Sequence, residues 1–379
     1  MRVEGKLMGD EEGVDIKDIL INCPILKEKY IAPLLWGKNG HIQTATYGLL
    51  GHAELQRSFD QRVSVLLNDG TTVIYDIFEP RAINIKQKDV TLALCPGIAN
   101  NSGQIISVHA STTPKTSGYR CAVLNHLGSL DNVTLTSSRI FCYGSTEETE
   151  AMMSDLVSRY PHTQFINIGF SMGANIMTKY LSGMCPEMVK KTIIGLSVGQ
   201  GYSASKAAPY FHDWENGRRV YNYIINEKVK QILWKHYDKC VKPHVVSGLV
   251  DESKIWAASS CATLDEHYHR RVNLAKGGGK VEHFRTVEDF YEWCGSLKGI
   301  PSIKVPMVFL NAEDDPIVPI DLIKPVQEMC LANNKFAHVL TKHGGHLGFL
   351  EGRSLKPSSK TWLDRFIVQL SDAAVEAQT

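Results

Sequence analysis

The fold class follows from one ten-residue stretch of this chain, Gln164-Phe165-Ile166-Asn167-Ile168-Gly169-Phe170-Ser171-Met172-Gly173. Its apolar first half is typical of a buried strand, and a helical repeat follows Gly173. The pattern Gly-x-Ser-x-Gly therefore stands between a strand and a helix. At such a turn the chain reverses direction so sharply that β-carbons would clash, so glycines flank the serine. The serine hydroxyl is then exposed. A chance match in a loop is the alternative, but the flanking strand and helix favour Ser171 as a nucleophile.

Apolar segments on both sides of this stretch predict the rest of a sheet. Two β-branched segments flank the turn at residues 68–70, so a hairpin is predicted over residues 61–67 and 71–78. Short segments typical of strands buried on both faces follow at residues 90–95, 119–124, 164–169, 192–198, 305–311 and 337–341. Because helical patterns separate several of them, we predict an α/β fold. Its central sheet is mostly parallel, antiparallel only at the leading hairpin, with helices on both faces.

A start signal marks the helix that precedes the serine stretch. Ser145 and Glu148 are spaced as a capping box, and apolar residues then recur at helical intervals. We therefore expect this helix to begin at that pair.

A helically patterned insertion of about a hundred residues interrupts the predicted sheet. Helices are predicted over residues 214–226, 228–237 and 287–297, with the glycine run 277–279 as a flexible joint. We divide the chain into an N-terminal extension (1–60), a core (61–198 and 303–370) and a helical cap (199–302). Tryptophans concentrate in the cap, which suits an apolar acyl chain beneath it, although a cap also needs aromatic residues for its own packing. They are Trp214, Trp234, Trp256 and Trp293.

Composition excludes several classes of protein. The 379 residues carry a formal net charge of +1, so no basic excess exists for a nucleic-acid partner. The nine cysteines form no C-x-x-C pair, which argues for mostly free thiols and against a zinc site. The first 20 residues are too acidic for a signal peptide, and no later stretch is apolar enough for a membrane span. We expect a soluble or peripheral protein without a metal or cofactor.

A nucleophilic serine needs a histidine to take its proton and an acid to orient that histidine. In a strand-to-helix context the chain order is Ser, Asp, His. Asp315 follows the predicted strand at residues 305–311 and is our choice of acid, with Asp314 as its rival. For the base we choose His346, with His343 second, because both follow the last predicted strand in a glycine-containing loop.

Two backbone N–H groups are predicted to bind the oxyanion of a tetrahedral intermediate. Met172 directly follows the nucleophile, and Ile98 lies in the loop after the strand at residues 90–95. The alternative for Ile98 is an ordinary Pro-Gly turn.

A second motif, His126-Leu127-Gly128-Ser129-Leu130-Asp131, fits the His-x-x-x-x-Asp pattern of glycerolipid acyltransferases. There a histidine activates an acceptor hydroxyl beside a carboxylate. Two fixed residues are easily matched by accident, so we favour a structural role for His126 in the loop after the strand at residues 119–124.

With these elements placed, the chain resembles the α/β-hydrolase superfamily, and within it the abhydrolase domain-containing protein 2 family of acylglycerol lipases. The resemblance spans about residues 23–362, and the segments that carry it are residues 36–37, 40–44, 95–100, 118–128, 200–204, 314–316 and 343–349. It implies an α/β-hydrolase fold, and its nucleophile, acid and base match Ser171, Asp315 and His346. It also implies hydrolysis of monoacylglycerols and other lipid esters without a cofactor, and a membrane surface as a partner.

Two features depart from the family pattern. Members typically begin with a transmembrane anchor, which we expect this chain to lack. From the resemblance we expect membrane association, with the cytoplasm as the alternative. The family also places an amphipathic helix over residues 105–116, but this segment lacks a helical period and contains Pro114. The mismatch over a matching length suggests a local double frame slip in the gene model rather than a genuine change of sequence.

The sequence therefore predicts a serine ester hydrolase acting on acylglycerols. Two alternatives remain open at this point. One is a lipid acyltransferase that passes the same acyl group to another acceptor, and the other is a non-catalytic lipid- or steroid-binding module on a hydrolase scaffold.

Overall fold

The computed structural model of the chain describes residues 2–4, 15–50, 58–80, 88–104, 118–212, 214, 217–277 and 280–378. The predicted departure from the family pattern at residues 105–116 lies outside the described residues.

Nine strands form one twisted central sheet, and two more form a separate ribbon. In chain order the strands are β1 Arg2–Glu4, β2 Gln61–Leu66, β3 Thr72–Phe78, β4 Val90–Cys95, β5 Arg120–Asn125, β6 Gln164–Phe170, β7 Thr192–Val198, β8 Leu274–Gly277, β9 Lys280–His283, β10 Met307–Ala312 and β11 Phe336–Thr341. The spatial order of the large sheet is β1-β11-β10-β7-β6-β4-β5-β3-β2.

The pairing confirms a mostly parallel sheet. Six adjacent strands, β11-β10-β7-β6-β4-β5, pair with one another in the parallel sense. Strands β2 and β3 pair with each other and β3 with β5 in the antiparallel sense, as expected of the leading hairpin. The restriction of antiparallel pairing to that hairpin was wrong, since β1 pairs antiparallel with β11 at the opposite edge. Three residues are too few to give a strand pattern.

Helices cover both faces of the sheet. They are α1 Ile16–Ile21, α2 Gly40–Leu50, α3 Glu147–Arg159, α4 Met172–Ser182, α5 Pro186–Lys191, α6 Ala204–Tyr210, α7 Arg218–Lys235, α8 Tyr237–Cys240, α9 Lys242–Val246, α10 Glu252–Ala257, α11 Cys261–Leu264, α12 Arg270–Val272, α13 Val287–Cys294, α14 Lys324–Ala332 and α15 Trp362–Glu376. A π-helical turn, Asp265–His269, joins α11 to α12. Within the described ranges, we find no helix with both the length and the apolarity to cross a lipid bilayer.

Alternation along the strands divides the core between the two faces. On β4, Leu92 and Leu94 are buried in a cluster with residues of α1 and α15. Ala93 and Cys95 are buried in a second cluster with residues of α3, α4 and α14. Each strand of the sheet's centre is thus covered on both sides, which explains its continuous apolar sequence.

The described residues between β7 and β10 form helices, their connecting loops and one hairpin. The helices predicted over residues 214–226 and 228–237 form a single helix, α7. Strands β8 and β9 form an antiparallel ribbon that the helical pattern did not predict, and Gly277 of the glycine run pairs with Lys280 in it.

The predicted capping box at the start of α3 was wrong. The helix begins at Glu147 with Thr146 as its N-cap, and no side chain caps it. Thr146 Oγ1 instead donates to Glu150 Oε1 at 2.6 Å. Glu148 is buried, with its Oε2 4.0 Å from His126 Nδ1, so it is directed into the core rather than back to the N-cap.

The turn between β6 and α4 is closely packed. Ser171 has a φ of 52°, an unfavourable value for a residue with a β-carbon, and its N–H donates to the carbonyl of Val198 at 2.8 Å. A β-carbon on Gly169 would lie 2.4 Å from the Cα of Ala174. One on Gly173 would lie 2.2 Å from the carbonyl oxygens of both Cys95 and Pro96. The two glycines are therefore required by the packing of this turn.

Replacing Gly173 by Ala should destabilise the fold by about 3 kcal/mol, because its methyl group would overlap two backbone oxygens. Gly183→Ala at the end of the same helix is the matched control, since its β-carbon would approach nothing closer than 3.8 Å. Urea unfolding midpoints measure both effects. Equal midpoints for the two variants would contradict the packing of the turn.

Candidate active site

The carboxyl ends of the central parallel strands bring three distant residues to one edge of the sheet. Ser171 directly follows β6, Asp315 follows β10 by three residues, and His346 follows β11 by five. His346 Nε2 lies 2.9 Å from Ser171 Oγ. His346 Nδ1 lies 2.8 Å from Asp315 Oδ2. Since a carboxylate accepts a hydrogen bond, Nδ1 carries the proton of a neutral ring, and Nε2 is free to accept the serine hydroxyl.

The backbone around Asp315 fixes the direction of its carboxyl group. Asp315 Oδ1 accepts from the N–H of Ile317 at 2.8 Å and from that of Val318 at 3.0 Å. The side chain is only 1% exposed. With one oxygen held by the backbone, the other is directed at the imidazole.

The rival acid and base pair with each other. His343 Nδ1 lies 3.3 Å from Asp314 Oδ2. Asp314 Oδ1 accepts from the N–H of Gly345 at 2.8 Å. Burial raises the pKa of the Asp314 carboxyl, while these two contacts oppose the rise. This second pair ties the loop that carries His346 to the end of β10, and neither member takes part in the contact with Ser171.

A residue that the sequence analysis did not single out also holds His346. Thr44 on α2 accepts from the backbone N–H of His346 at 2.8 Å and donates to the carbonyl of Gly40 at 2.7 Å. The loop packs tightly on this helix, since a β-carbon on Gly345 would lie 2.4 Å from the carbonyl oxygen of Gly40. A contact between residues about 300 positions apart leaves no local pattern. The available signal in the sequence was the place of Thr44 in one of the segments that carry the family resemblance, residues 40–44.

The two predicted oxyanion donors lie beside the serine. Met172 is the first residue of α4, so its N–H has no acceptor within that helix. Ile98 lines the same cavity as Ser171 and Met172. A β-carbon on Gly97 would lie 3.4 Å from the Cβ of Ser171, so the loop after β4 is in direct contact with the serine turn.

His126 supports that loop from inside the protein. Its Nε2 lies 2.8 Å from the carbonyl oxygen of Pro96, which can only accept, so Nε2 carries the proton. Burial lowers the pKa of His126 to about 4 and raises that of Glu148 to about 7. Asp131 instead extends into solvent and pairs with Lys235 Nζ at 2.8 Å. The structure therefore does not assemble the acyltransferase pair, and His126 has the structural position that we favoured.

A cavity of about 400 Å³ opens at Ser171 and His346, between the sheet edge and the helices that follow β7. Its lining is mainly apolar: Tyr47, Ile98, Met172, Tyr202, Phe211, Ile225, Ile317, Val318, Leu322 and Leu347. Among the described residues, no tryptophan lines it, so the proposed role of the cap tryptophans was wrong. Trp214 and Trp234 are 72% and 67% exposed.

Replacing His126 by Leu should slow the reaction of Ser171 with a fluorophosphonate probe roughly tenfold, because the loop carrying Ile98 loses its anchor. His126→Gln, whose amide can donate to the Pro96 carbonyl, should restore most of the rate. The labelling rate is measured beside the melting temperature of each variant. Equal slowing in both variants, or none in His126→Leu, would contradict this positioning role.

Comparison with known proteins identifies the family to which this chain belongs. A family model described as the α/β hydrolase fold matches residues 90–223. Abhydrolase domain-containing protein 2 of Drosophila melanogaster is 39% identical over 354 residues, which cover 93% of this chain and 86% of the fly protein. Monoacylglycerol lipase ABHD2 of Homo sapiens is 38% identical over 360 residues, covering 94% and 82%. Phospholipase ABHD3 of Bos taurus is 26% identical over 363 residues, covering 94% and 81%. With a mostly parallel sheet and a serine turn of this geometry, the chain belongs to the α/β-hydrolase fold family, in the group of abhydrolase domain-containing protein 2.

Proposed function

We propose that this chain is a serine ester hydrolase that acts on acylglycerols through Ser171, His346 and Asp315. The observation that carries the proposal is the unbroken line of contacts at 2.9 Å and 2.8 Å from the serine hydroxyl through the imidazole to a buried carboxyl group. A hydroxyl becomes a useful nucleophile at neutral pH when such a base is within hydrogen-bonding distance.

The reaction follows from that geometry. Ser171 Oγ attacks the ester carbonyl carbon while its proton passes to His346 Nε2, and Asp315 stabilises the imidazolium. The N–H groups of Ile98 and Met172 bind the oxyanion of the tetrahedral intermediate. His346 then protonates the departing alcohol as the carbon–oxygen bond breaks. Water, deprotonated by the same imidazole, releases the carboxylic acid from the serine.

The substrate class is supported by two independent features. A largely apolar cavity beside the serine suits a fatty acyl chain. A relative that is 38% identical to this chain over 360 aligned residues bears the name monoacylglycerol lipase, whereas the bovine phospholipase, at 26%, is more distant. We therefore propose an acylglycerol, with one ester-linked chain, as the substrate.

We further propose that residues 199–302 act as a cap over the acyl-binding cavity. The segment contributes the loop after β7, α6, α7 and α11 to the cavity lining, opposite the serine turn. A substrate between the cap and the sheet edge would be shielded from bulk water, which strengthens the hydrogen bonds to the oxyanion.

A lipid surface is the partner we propose for delivery of the substrate. Helices α2 and α7 both line the cavity, and the rings of His41 and Tyr221 stack between them at 5.8 Å. Both helices also expose apolar side chains, among them Leu49 at 86% and Ile224 at 55%. A bilayer is the occupant that fits, because it holds the long-chain ester and would accept apolar side chains at the cavity mouth.

Replacing Ser171 by Ala should abolish fluorophosphonate labelling and lower the hydrolysis of a monoacylglycerol at least about a thousandfold, because the nucleophile is lost. Ser182→Ala, in the last turn of the same helix, is the control and should keep both activities. Persistent labelling of Ser171→Ala would refute the assignment. If the unaltered protein transfers the acyl chain to added lysolipid rather than to water, its activity is acyl transfer and not hydrolysis. If it binds the ester but does not turn it over, it is a binding module.

Replacing both Leu49 and Ile224 by Asp should lower the hydrolysis of a vesicle-embedded monoacylglycerol roughly tenfold relative to that of a short-chain ester in solution, because two apolar anchors are lost. Leu331→Asp on α14 is the control, since Leu331 is as exposed as Ile224 (55%) and lies outside the cavity lining. An unchanged ratio in the double variant would contradict the proposed surface.

A further inference from the structure

A second buried aspartate lines the cavity and has no part in the reaction described above. Asp265 is the first residue of the π-helical turn and is only 2% exposed. Its Oδ1 accepts from the hydroxyl of Tyr143 at 2.9 Å, and its Oδ2 from that of Tyr291 at 2.7 Å. All three residues line the cavity that contains Ser171. We call them the Asp265 cluster.

The Asp265 cluster is costly to the fold. Burial raises the pKa of the Asp265 carboxyl to about 7, and the two tyrosine hydrogen bonds only partly offset the loss of solvation. Replacing a buried polar cluster by apolar side chains is often neutral or stabilising, so packing alone does not require an acid here. The π-helical turn that carries it is a rare conformation that occurs frequently at functional sites.

The Asp265 cluster is fixed to the helix that carries the nucleophile. Asn175 Nδ2 donates to the backbone carbonyl of Tyr143 at 2.9 Å and to that of Cys294, close to Tyr291, at 2.7 Å. Asn175 follows Ser171 by four residues, a rise of about 6 Å along α4. The position of the cluster relative to the serine is therefore set by one turn of one helix.

The hydrogen-bonding capacity that remains in the Asp265 cluster determines what it can bind. Both phenolic hydrogens are already donated to the carboxyl group, so the cluster with Asp265 ionised offers oxygen lone pairs rather than donors. Such a group accepts hydrogen bonds from hydroxyls and disfavours a phosphate or a second carboxylate. Lys228 also lines the cavity, but it is exposed to solvent, whereas the cluster is buried.

We propose that the Asp265 cluster is the head-group subsite, in which Asp265, Tyr143 and Tyr291 accept hydrogen bonds from the free hydroxyls of a neutral polyol ester. The glycerol of a monoacylglycerol has this chemistry, and a phosphorylated glycerol is selected against. This inference rests on the proposed ester hydrolase activity and specifies the substrate class for the same site.

The test compares esters that share one acyl chain and differ in the alcohol: monolauroylglycerol, methyl laurate and lauroyl lysophosphatidate. The quantity compared is the ratio of kcat/KM for monolauroylglycerol to kcat/KM for methyl laurate. We expect Asp265→Asn and Tyr291→Phe each to lower this ratio about tenfold, because, of these two esters, only the glycerol ester has free hydroxyls whose hydrogen bonds to the cluster would be lost. Asp265→Asn should also raise the rate on lysophosphatidate relative to monolauroylglycerol. Unchanged ratios in both variants would overturn the proposal.

A matched control is Tyr237→Phe, which removes a tyrosine hydroxyl that donates to Glu252 at 3.0 Å outside the cavity lining. Its ratio should equal that of the unaltered protein, and a fall as large as that of Tyr291→Phe would also overturn the subsite. Fluorophosphonate labelling of Ser171 checks that each variant is folded. If the unaltered protein hydrolyses none of the esters, the proposed function fails; if it hydrolyses them with ratios that the variants do not change, only the subsite fails.

Discussion

The close contact between the start of α4 and the end of β4 organises the rest of the site. Gly173 approaches the carbonyl oxygens of Cys95 and Pro96 so closely that a β-carbon would lie 2.2 Å from each. This contact sets the serine turn against the loop that carries Ile98, and His126 holds the Pro96 carbonyl from the other side at 2.8 Å. The proposed nucleophile and both proposed oxyanion donors are therefore positioned by one backbone contact. A residue with a side chain at Gly173 would disturb all of them together.

Two buried aspartates near the cavity accept hydrogen bonds from different kinds of donor, and this difference indicates that they have different functions. Asp315 receives two backbone N–H groups on one oxygen and the imidazole of His346 on the other, so its direction is set by the end of a core strand. Asp265 receives two tyrosine hydroxyls and belongs to the segment after β7. We therefore propose that residues at the sheet edge carry out the reaction and that the inserted segment determines which substrate binds. In other folds, too, loops on a rigid scaffold carry the residues that determine specificity.

The sequence predicted those features that depend on local pattern. The mostly parallel sheet was confirmed because its strands are buried on both faces. Ser171, Asp315 and His346 follow three of these parallel strands, β6, β10 and β11, whose carboxyl ends meet at one edge. Their catalytic roles remain our proposal. Features that depend on long-range contacts were either missed or predicted wrongly. Thr44 binds the backbone of His346, which is about 300 residues away in the chain, and Glu148 is directed into the interior instead of capping its helix. Asp265 was missed because an isolated acid in a helical pattern is ordinarily a solvated residue.

The central claim, that the serine turn and the loop after β4 form one reactive centre, is tested most directly by a crystal structure of the fluorophosphonate adduct. We predict phosphorus bonded to Ser171 Oγ, with the phosphoryl oxygen about 2.9 Å from the backbone nitrogens of both Ile98 and Met172. Phosphorus on another residue, or a phosphoryl oxygen directed away from both amides, would contradict the account.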